Sequence, residues 1–208
     1  MSSLKQLYLY MYNLAGCILW TLLLARVSTV VFGPTSTYRD TYVYVGEYAR
    51  NIQTAALLEI VHSAIGLVRA PLIPTFIQTV AKNLILWTIV QPFPSIASSP
   101  AYTILIIAWS TGEVIRYLYF SLLLSGVVPK FITWLRYSAF VLIYPIGIGS
   151  EMWLILQAIG QCDQGWLLDV MWGELALYIP GMPFLYSYML KQRRKTIGSK
   201  AAERKQRH

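Results

Sequence analysis

The sequence predicts an all-α integral membrane protein with six transmembrane helices and both termini cytoplasmic. Three observations carry that expectation. Of 208 residues, 56% are hydrophobic and only 12% charged, with a mean hydropathy of +0.52; a soluble domain runs about 45–50% apolar and about 25% charged. Such a composition suits neither a water-facing surface nor a disordered chain. Six apolar segments are separated by short stretches rich in proline, glycine and serine, and a helix needs roughly 20 apolar residues to cross a bilayer. Finally, the net charge of +8 is concentrated at one end. KQRRKTIGSKAAERKQRH (191–208) holds eight basic residues and one acidic, a net of +7, which leaves only +1 for the preceding 190 residues.

The segments follow in order. The first runs from about Leu7 to Phe32 and is broken by GPTST (33–37). The second, Gly46 to Val68, is less apolar and carries Glu47, Arg50, Asn51, Gln53, Glu59 and His62, with Pro71 and Pro74 expected to end it. The third is Phe76 to Val90, followed by QPFPSIASSPA (91–101), a loop by its three prolines and three serines. The fourth spans Tyr102 to Leu124 and turns at SGVVPK (125–130). The fifth spans Phe131 to Ile159 and turns at GQCDQG (160–165); the sixth, Trp166 to Leu190, is interrupted by Pro180 and Pro183. Residues 1–190 thus form the transmembrane domain and 191–208 a basic cytoplasmic tail.

Loop charge sets the orientation. Lys5, Arg69, Lys130 and the tail fall on one side, Arg39 on the other, and basic residues favour the cytoplasm. One cationic tail after the last apolar segment suits anionic lipid headgroups rather than nucleic acid. Cys17, in an apolar run, reads as a packing residue, and Cys162 lies in a polar turn. No CxxC or Cys/His cluster suggests a metal site. The first segment is too long for a signal peptide and lacks a small-residue cleavage site, so it reads as a retained helix.

Ionisable groups at membrane depth are the informative residues, because burying them unpaired costs several kcal/mol. Glu59 and His62 lie one helical turn apart. Glu113 and Arg116, spaced i,i+3 beside Tyr117, can neutralise each other on one helix face. His62 reads first as a packing hydrogen-bonder, and Asp169 and Glu174 as groups near the interface. YPIGIGSE (144–151) differs. Tyr144 and Glu151, seven residues apart, share a helix face with Tyr137, a further seven residues back, and Arg136 precedes that tyrosine. The rise between the pair is about 10.5 Å in an ideal helix, and Pro145, Gly147 and Gly149 give that helix a reason to bend. A carboxylate and a phenol in an apolar pocket suit proton abstraction alpha to a carbonyl and departure of a beta hydroxyl. SAIGLVR (63–69) has the Cys-x5-Arg spacing of tyrosine phosphatases, but with serine in place of the nucleophilic thiolate. Phosphatase chemistry is excluded on that ground.

LEIVHSAIGLVRAP (58–71), WSTGEVIRYLYF (109–120), WLRYSAFVLIYPIGIGSE (134–151) and YIPGMPFLYSYMLKQRRK (178–195) together resemble the very-long-chain (3R)-3-hydroxyacyl-CoA dehydratases, the protein-tyrosine-phosphatase-like or PASTICCINO-type family. The resemblance covers nearly the whole chain from Gln53 and, more loosely, the first helix. It implies a six-helix endoplasmic reticulum enzyme, working without a cofactor. Such an enzyme takes the third step of each fatty-acid elongation cycle, from 3-hydroxyacyl-CoA to trans-2-enoyl-CoA. Its partners are then membrane lipid and the condensing enzyme, ketoacyl reductase and enoyl reductase.

The resemblance places the catalytic tyrosine and glutamate on Tyr144 and Glu151, with Glu151 as base and Tyr144 as acid or the reverse. Glu113, Arg116, Tyr117, Arg136 and Tyr137 are expected to bind substrate. Arg69, Lys130, Arg136 or the tail meet the CoA phosphates, and Arg116 or Arg136 polarises the thioester or holds Glu113. Family members carry a longer polar stretch between the fifth and sixth helices than GQCDQG. The rival readings are a non-catalytic scaffold for elongase subunits and a small transporter, against which the lack of an internal repeat counts.

Overall fold

A chain in a medium without water must satisfy its own backbone hydrogen bonds, and apolar sequence does so as helix. The computed structural model describes the backbone of residues 3–205 and the side chains of residues 4–196. Among the described residues the regular elements are all helical. They are α1 (Ser3–Phe32), α2 (Thr41–Ala55), α3 (Leu58–Ala64), α4 (Leu72–Leu84), α5 (Pro100–Ser125), α6 (Lys130–Arg136), α7 (Phe140–Ile159) and α8 (Gly165–Lys205). A π-helical turn, Ile85–Val90, prolongs α4. Three stretches among the described residues are long and apolar enough to cross a membrane: Leu4–Phe32, Leu72–Val90 and Lys130–Ile159.

Several boundaries depart from the expected ones. The second segment is two helices, divided by a turn at Ala56–Leu57. Pro71 and Pro74 open α4 instead of closing the segment before it; Pro71 is its extended N-cap, and Pro74 sits in a first turn whose N–H groups have no intrahelical acceptor anyway. The fifth segment divides at residues 137–139 into α6 and α7, so Tyr137 lies in the turn between them and does not share the helix of Tyr144. Helix α8 runs through Pro180 and Pro183 and on to Lys205, without a break at the expected start of the tail. Each proline removes one donor, so the acceptors freed are the carbonyls of Ala176 and Ile179 only.

Helix α5 is the centre, packed on α1 along one side and on α7 along another. It starts at Pro100 and stops at Gly126, whose φ of 85° is the left-handed conformation that ends a helix and favours glycine. Between lipid-facing helices burial supplies little drive, since lipid is as apolar as leucine, so close fit decides which faces meet. Gly16 shows this: the Tyr117 ring lies where its side chain would be, and a Cβ there would stand 2.8 Å from the ring.

Packing differs between the two ends of the bundle. Toward residues 33–40, 91–99 and 160–164 the interior is filled by Trp20, Leu23, Ile89, Tyr102, Ile106, Ile155 and Met171, all nearly inaccessible. Toward the start of α1 and the end of α5 it is hollow. The outer surface carries large apolar side chains such as Phe32, Leu142, Trp153, Trp166 and Ile179, as a lipid-facing surface does.

Gly16→Val is expected to lower the unfolding free energy in detergent by about 1–3 kcal/mol, because the Tyr117 ring must be displaced. Gly173→Ala, in α8 with nothing within 4 Å of an added Cβ, is expected to leave it unchanged or raise it by up to about 1 kcal/mol. Equal thermal unfolding midpoints for Gly16→Val and the parent contradict the assigned fit.

Candidate active site

The hollow end holds a cavity of about 830 Å³, within the range of small-molecule sites. Across it runs a chain of four charges drawn from three helices. Arg116 of α5 makes a two-pronged contact with Glu59 of α3, at 2.9 Å through Nη1 and 2.6 Å through Nη2. Its Nε donates to Glu113 at 2.6 Å. Lys82 of α4 donates to the other Glu113 oxygen at 2.5 Å, and the Tyr117 hydroxyl donates to Glu59. Two cations thus balance two carboxylates. Glu113 and Arg116 do pair along one helix face, and each has a second partner that spacing does not reveal.

Five cations (Lys5, Arg69, Lys82, Arg116 and Arg136) and two carboxylates line this cavity, which leaves it three charges positive. Lys5, Arg69 and Arg136 make no ion pair among the described residues. Arg136 instead lies against the rings of Phe120 and Tyr137, 5.9 and 5.8 Å from their centroids. Tyr137 also lines the cavity and packs edge-on against Tyr119. Lys130 is exposed and not part of the lining. His62, also on the wall, hydrogen-bonds the Tyr8 hydroxyl at 2.8 Å and packs edge-on against Tyr12. Ser63, at the nucleophile position of the phosphatase spacing, donates its hydroxyl to the Ala70 carbonyl.

Tyr144 and Glu151 stand beyond the cavity floor, outside its lining. Helix α7 turns Phe140, Gly147, Ile148, Glu151, Leu154 and Ile155 inward at helical spacing. Glu151 is 8% exposed. Its Oε1 accepts from the Trp109 indole N–H at 2.8 Å, and its Oε2 accepts from the Tyr178 hydroxyl at 2.7 Å. Tyr144 is half-buried and makes no hydrogen bond to Glu151; its ring lies 5.9 Å from that of Tyr186, which in turn packs on Phe140 at 5.6 Å. Since Phe140 lines the cavity, these three rings join the cavity wall to Tyr144. From the other side, Lys82 sits 5.2 Å from the Trp109 ring centroid. Trp109 is therefore the partition between the cavity floor and Glu151.

Two acidic residues of α8 separate here. Asp169 is exposed, whereas Glu174 is buried, at 5% exposed. Neither Glu174 oxygen has a hydrogen-bond partner among the described residues, and the neighbouring Thr88 hydroxyl donates to the Leu84 carbonyl instead. Sequence reasoning passed over Trp109 and Tyr178, although both lie in the motifs that carry the resemblance; only the packing of α5 and α8 on α7 brings them to Glu151. The cysteines are both unpaired, and no three His, Cys, Asp or Glu side chains among the described residues cluster as metal ligands do.

Comparison with known proteins agrees with these motifs. Residues 53–199 match the family described as protein tyrosine phosphatase-like protein, PTPLA. A Schizosaccharomyces pombe protein named "Probable very-long-chain (3R)-3-hydroxyacyl-CoA dehydratase" is 38% identical, over 97% of this chain and 98% of that protein. The rice protein named very-long-chain (3R)-3-hydroxyacyl-CoA dehydratase PASTICCINO 2A is 35% identical over 97% of each chain. The Caenorhabditis elegans protein of the same activity, hpo-8, is 32% identical over 93% of this chain and 95% of its own. No solved structure matches the chain.

A buried carboxyl without donors is a net loss to the fold. Glu174→Leu is therefore expected to raise the unfolding free energy by about 1–3 kcal/mol. A lower thermal midpoint for this variant in detergent contradicts that account.

Proposed function

The chain belongs to the protein tyrosine phosphatase-like family, and from that membership we propose that it removes water from very-long-chain (3R)-3-hydroxyacyl-CoA to give the trans-2-enoyl-CoA. The names of its relatives supply the substrate class, over nearly the full length of both chains. The observation that carries the reading is Glu151, a buried carboxyl that accepts a hydrogen bond on each oxygen, two turns along α7 from Tyr144.

Indole N–H groups only donate, so the oxygen facing Trp109 is an acceptor, as an ionised carboxylate requires. That arrangement favours Glu151 as the base. Glu151 takes the C2 proton, and the C–H electron pair becomes the C2–C3 double bond. The C3–O bond breaks, and the hydroxyl leaves as water with the proton of Tyr144. Return of the proton from Glu151 to the Tyr144 phenolate restores the starting state, so no net proton or electron is needed.

Arg116, with three of its five N–H groups bonded to Glu59 and Glu113, holds the wall. Arg136, Arg69 and Lys5 are the cations that remain for the CoA phosphates and thioester, and Tyr137 flanks them. Glu113 and Tyr117 act at one remove, through Arg116 and Glu59. The three stretches apolar enough to cross a bilayer make this a membrane protein. We read the remaining long helices as crossings too, six in all, with the Lys5, Arg69 and α8 basic end cytoplasmic. Residues 1–190 make up the catalytic bundle and 191–208 its basic extension. In the same reading the chain works in the endoplasmic reticulum membrane, beside the condensing enzyme, ketoacyl reductase and enoyl reductase of chain elongation.

Tyr144→Phe and Glu151→Ala are each expected to lower kcat for dehydration by about 10²–10⁴-fold. Parental rates for both in the purified protein sink the mechanism. Arg136→Gln is expected to raise KM about tenfold, equivalent to about 1.4 kcal/mol of binding, while Lys130→Ala leaves it unchanged. For topology, single cysteines introduced at Ser36, Ser95 and Gln164 are expected to be shielded from a membrane-impermeant thiol reagent in sealed, cytoplasmic-side-out vesicles. A cysteine at Ser125 is expected to react, and the opposite pattern refutes the six-crossing arrangement.

A further inference from the structure

The carboxyl of Glu151 is held from two helices at once, and nothing else among the described residues hydrogen-bonds to it. Its own helix offers little support. Gly147, one turn before it, has no side chain, and the space a Cβ would fill there faces the Trp109 indole at 3.9 Å. Gly149 has nothing within 4 Å of a Cβ. A glutamate on such a bare face has three free torsions, so its direction is set by whatever binds its end.

Trp109 belongs to the buried core and Tyr178 packs against it. Trp109 is 4% exposed and lies under Lys82, which is tied to Glu113. Tyr178 comes from α8, two residues before Pro180, and donates from the opposite side. Donors on both oxygens, from different helices, block rotation about the carboxyl axis as well as swinging of the side chain. Each oxygen keeps a second lone pair for a substrate proton.

We propose that Trp109 and Tyr178 are positioning residues for the dehydration: together they aim the Glu151 carboxylate, and neither needs to touch the substrate. The proposal rests on Glu151 acting as the base. A merely structural role, joining α5 and α8 to α7, predicts lost stability. A positioning role predicts lost turnover at unchanged substrate affinity, because the bound substrate meets a base pointing the wrong way.

The test uses the purified full chain in detergent with one long-chain 3-hydroxyacyl-CoA. Tyr178→Phe and Trp109→Phe each delete one donor and keep a ring. Glu151→Ala is assayed alongside, and thermal midpoints and helical circular dichroism are measured for every variant. Each phenylalanine variant is expected to lower kcat about tenfold or more, the worth of one hydrogen bond to a charged group, with KM within about twofold and the midpoint within a few degrees. Parental kcat in both phenylalanine variants with an inactive Glu151→Ala overturns the positioning role and leaves the base intact. Activity that falls only in step with the thermal midpoint or the helical signal also overturns it. An active Glu151→Ala removes the base, and the positioning role with it.

Discussion

Arg116 cannot be inside this bundle alone. A charge taken from water into an apolar interior is costly unless its partners are close and well aligned, and Arg116 meets that demand with Glu59 on one side and Glu113 on the other. Glu113 then needs more than one cation, and Lys82 supplies the second. Neutrality therefore joins α3, α4 and α5 more firmly than apolar contact does in a medium where lipid competes equally for every leucine. It also keeps the cavity open. Charged walls bonded to each other, and partly solvated, gain nothing by collapsing onto apolar neighbours.

From that constraint follows the division of the molecule into two unlike ends. The close-packed end, built around Tyr102, Ile106, Ile155 and Met171, fixes the register of α7 against α5. The hollow end leaves room and positive charge. Trp109 stands at the boundary and faces both, with Lys82 over its ring and Glu151 at its N–H. The charge cluster of the cavity wall and the buried carboxyl of α7 are thus linked through one rigid side chain.

Much of this was legible in the sequence, for reasons that differ by element. Helices α1 and α5 announce themselves, one by an apolar run ended at GPTST and the other by Pro100 at its start and Gly126 at its end. The turns at Ala56–Leu57 and at residues 137–139 contain neither glycine nor proline, so no local signal marks them. The contact of Glu113 with Arg116 is local and readable from spacing, whereas Glu59 and Lys82 reach the same cluster across 57 and 31 residues. The same holds for Glu151. Its place on an inward face with Tyr144 follows from helical period, but its two donors arrive across 42 and 27 residues. Proline in α8 misled, because a helix surrounded by lipid has no better way to satisfy its backbone than to continue.

The place of Tyr144 and Glu151 beyond the cavity floor has a consequence for selectivity. The reacting carbons of a 3-hydroxyacyl thioester, C2 and C3, follow directly on the thioester carbonyl. If the phosphates seat among Lys5, Arg69 and Arg136, it is the pantetheine arm that spans the hollow end. The hydrocarbon tail then begins where the interior closes behind Glu151, and its free path runs sideways past the exposed Ile146 and Gly149 of α7. On the proposed reading, a tail that leaves the protein there meets bilayer rather than an end wall.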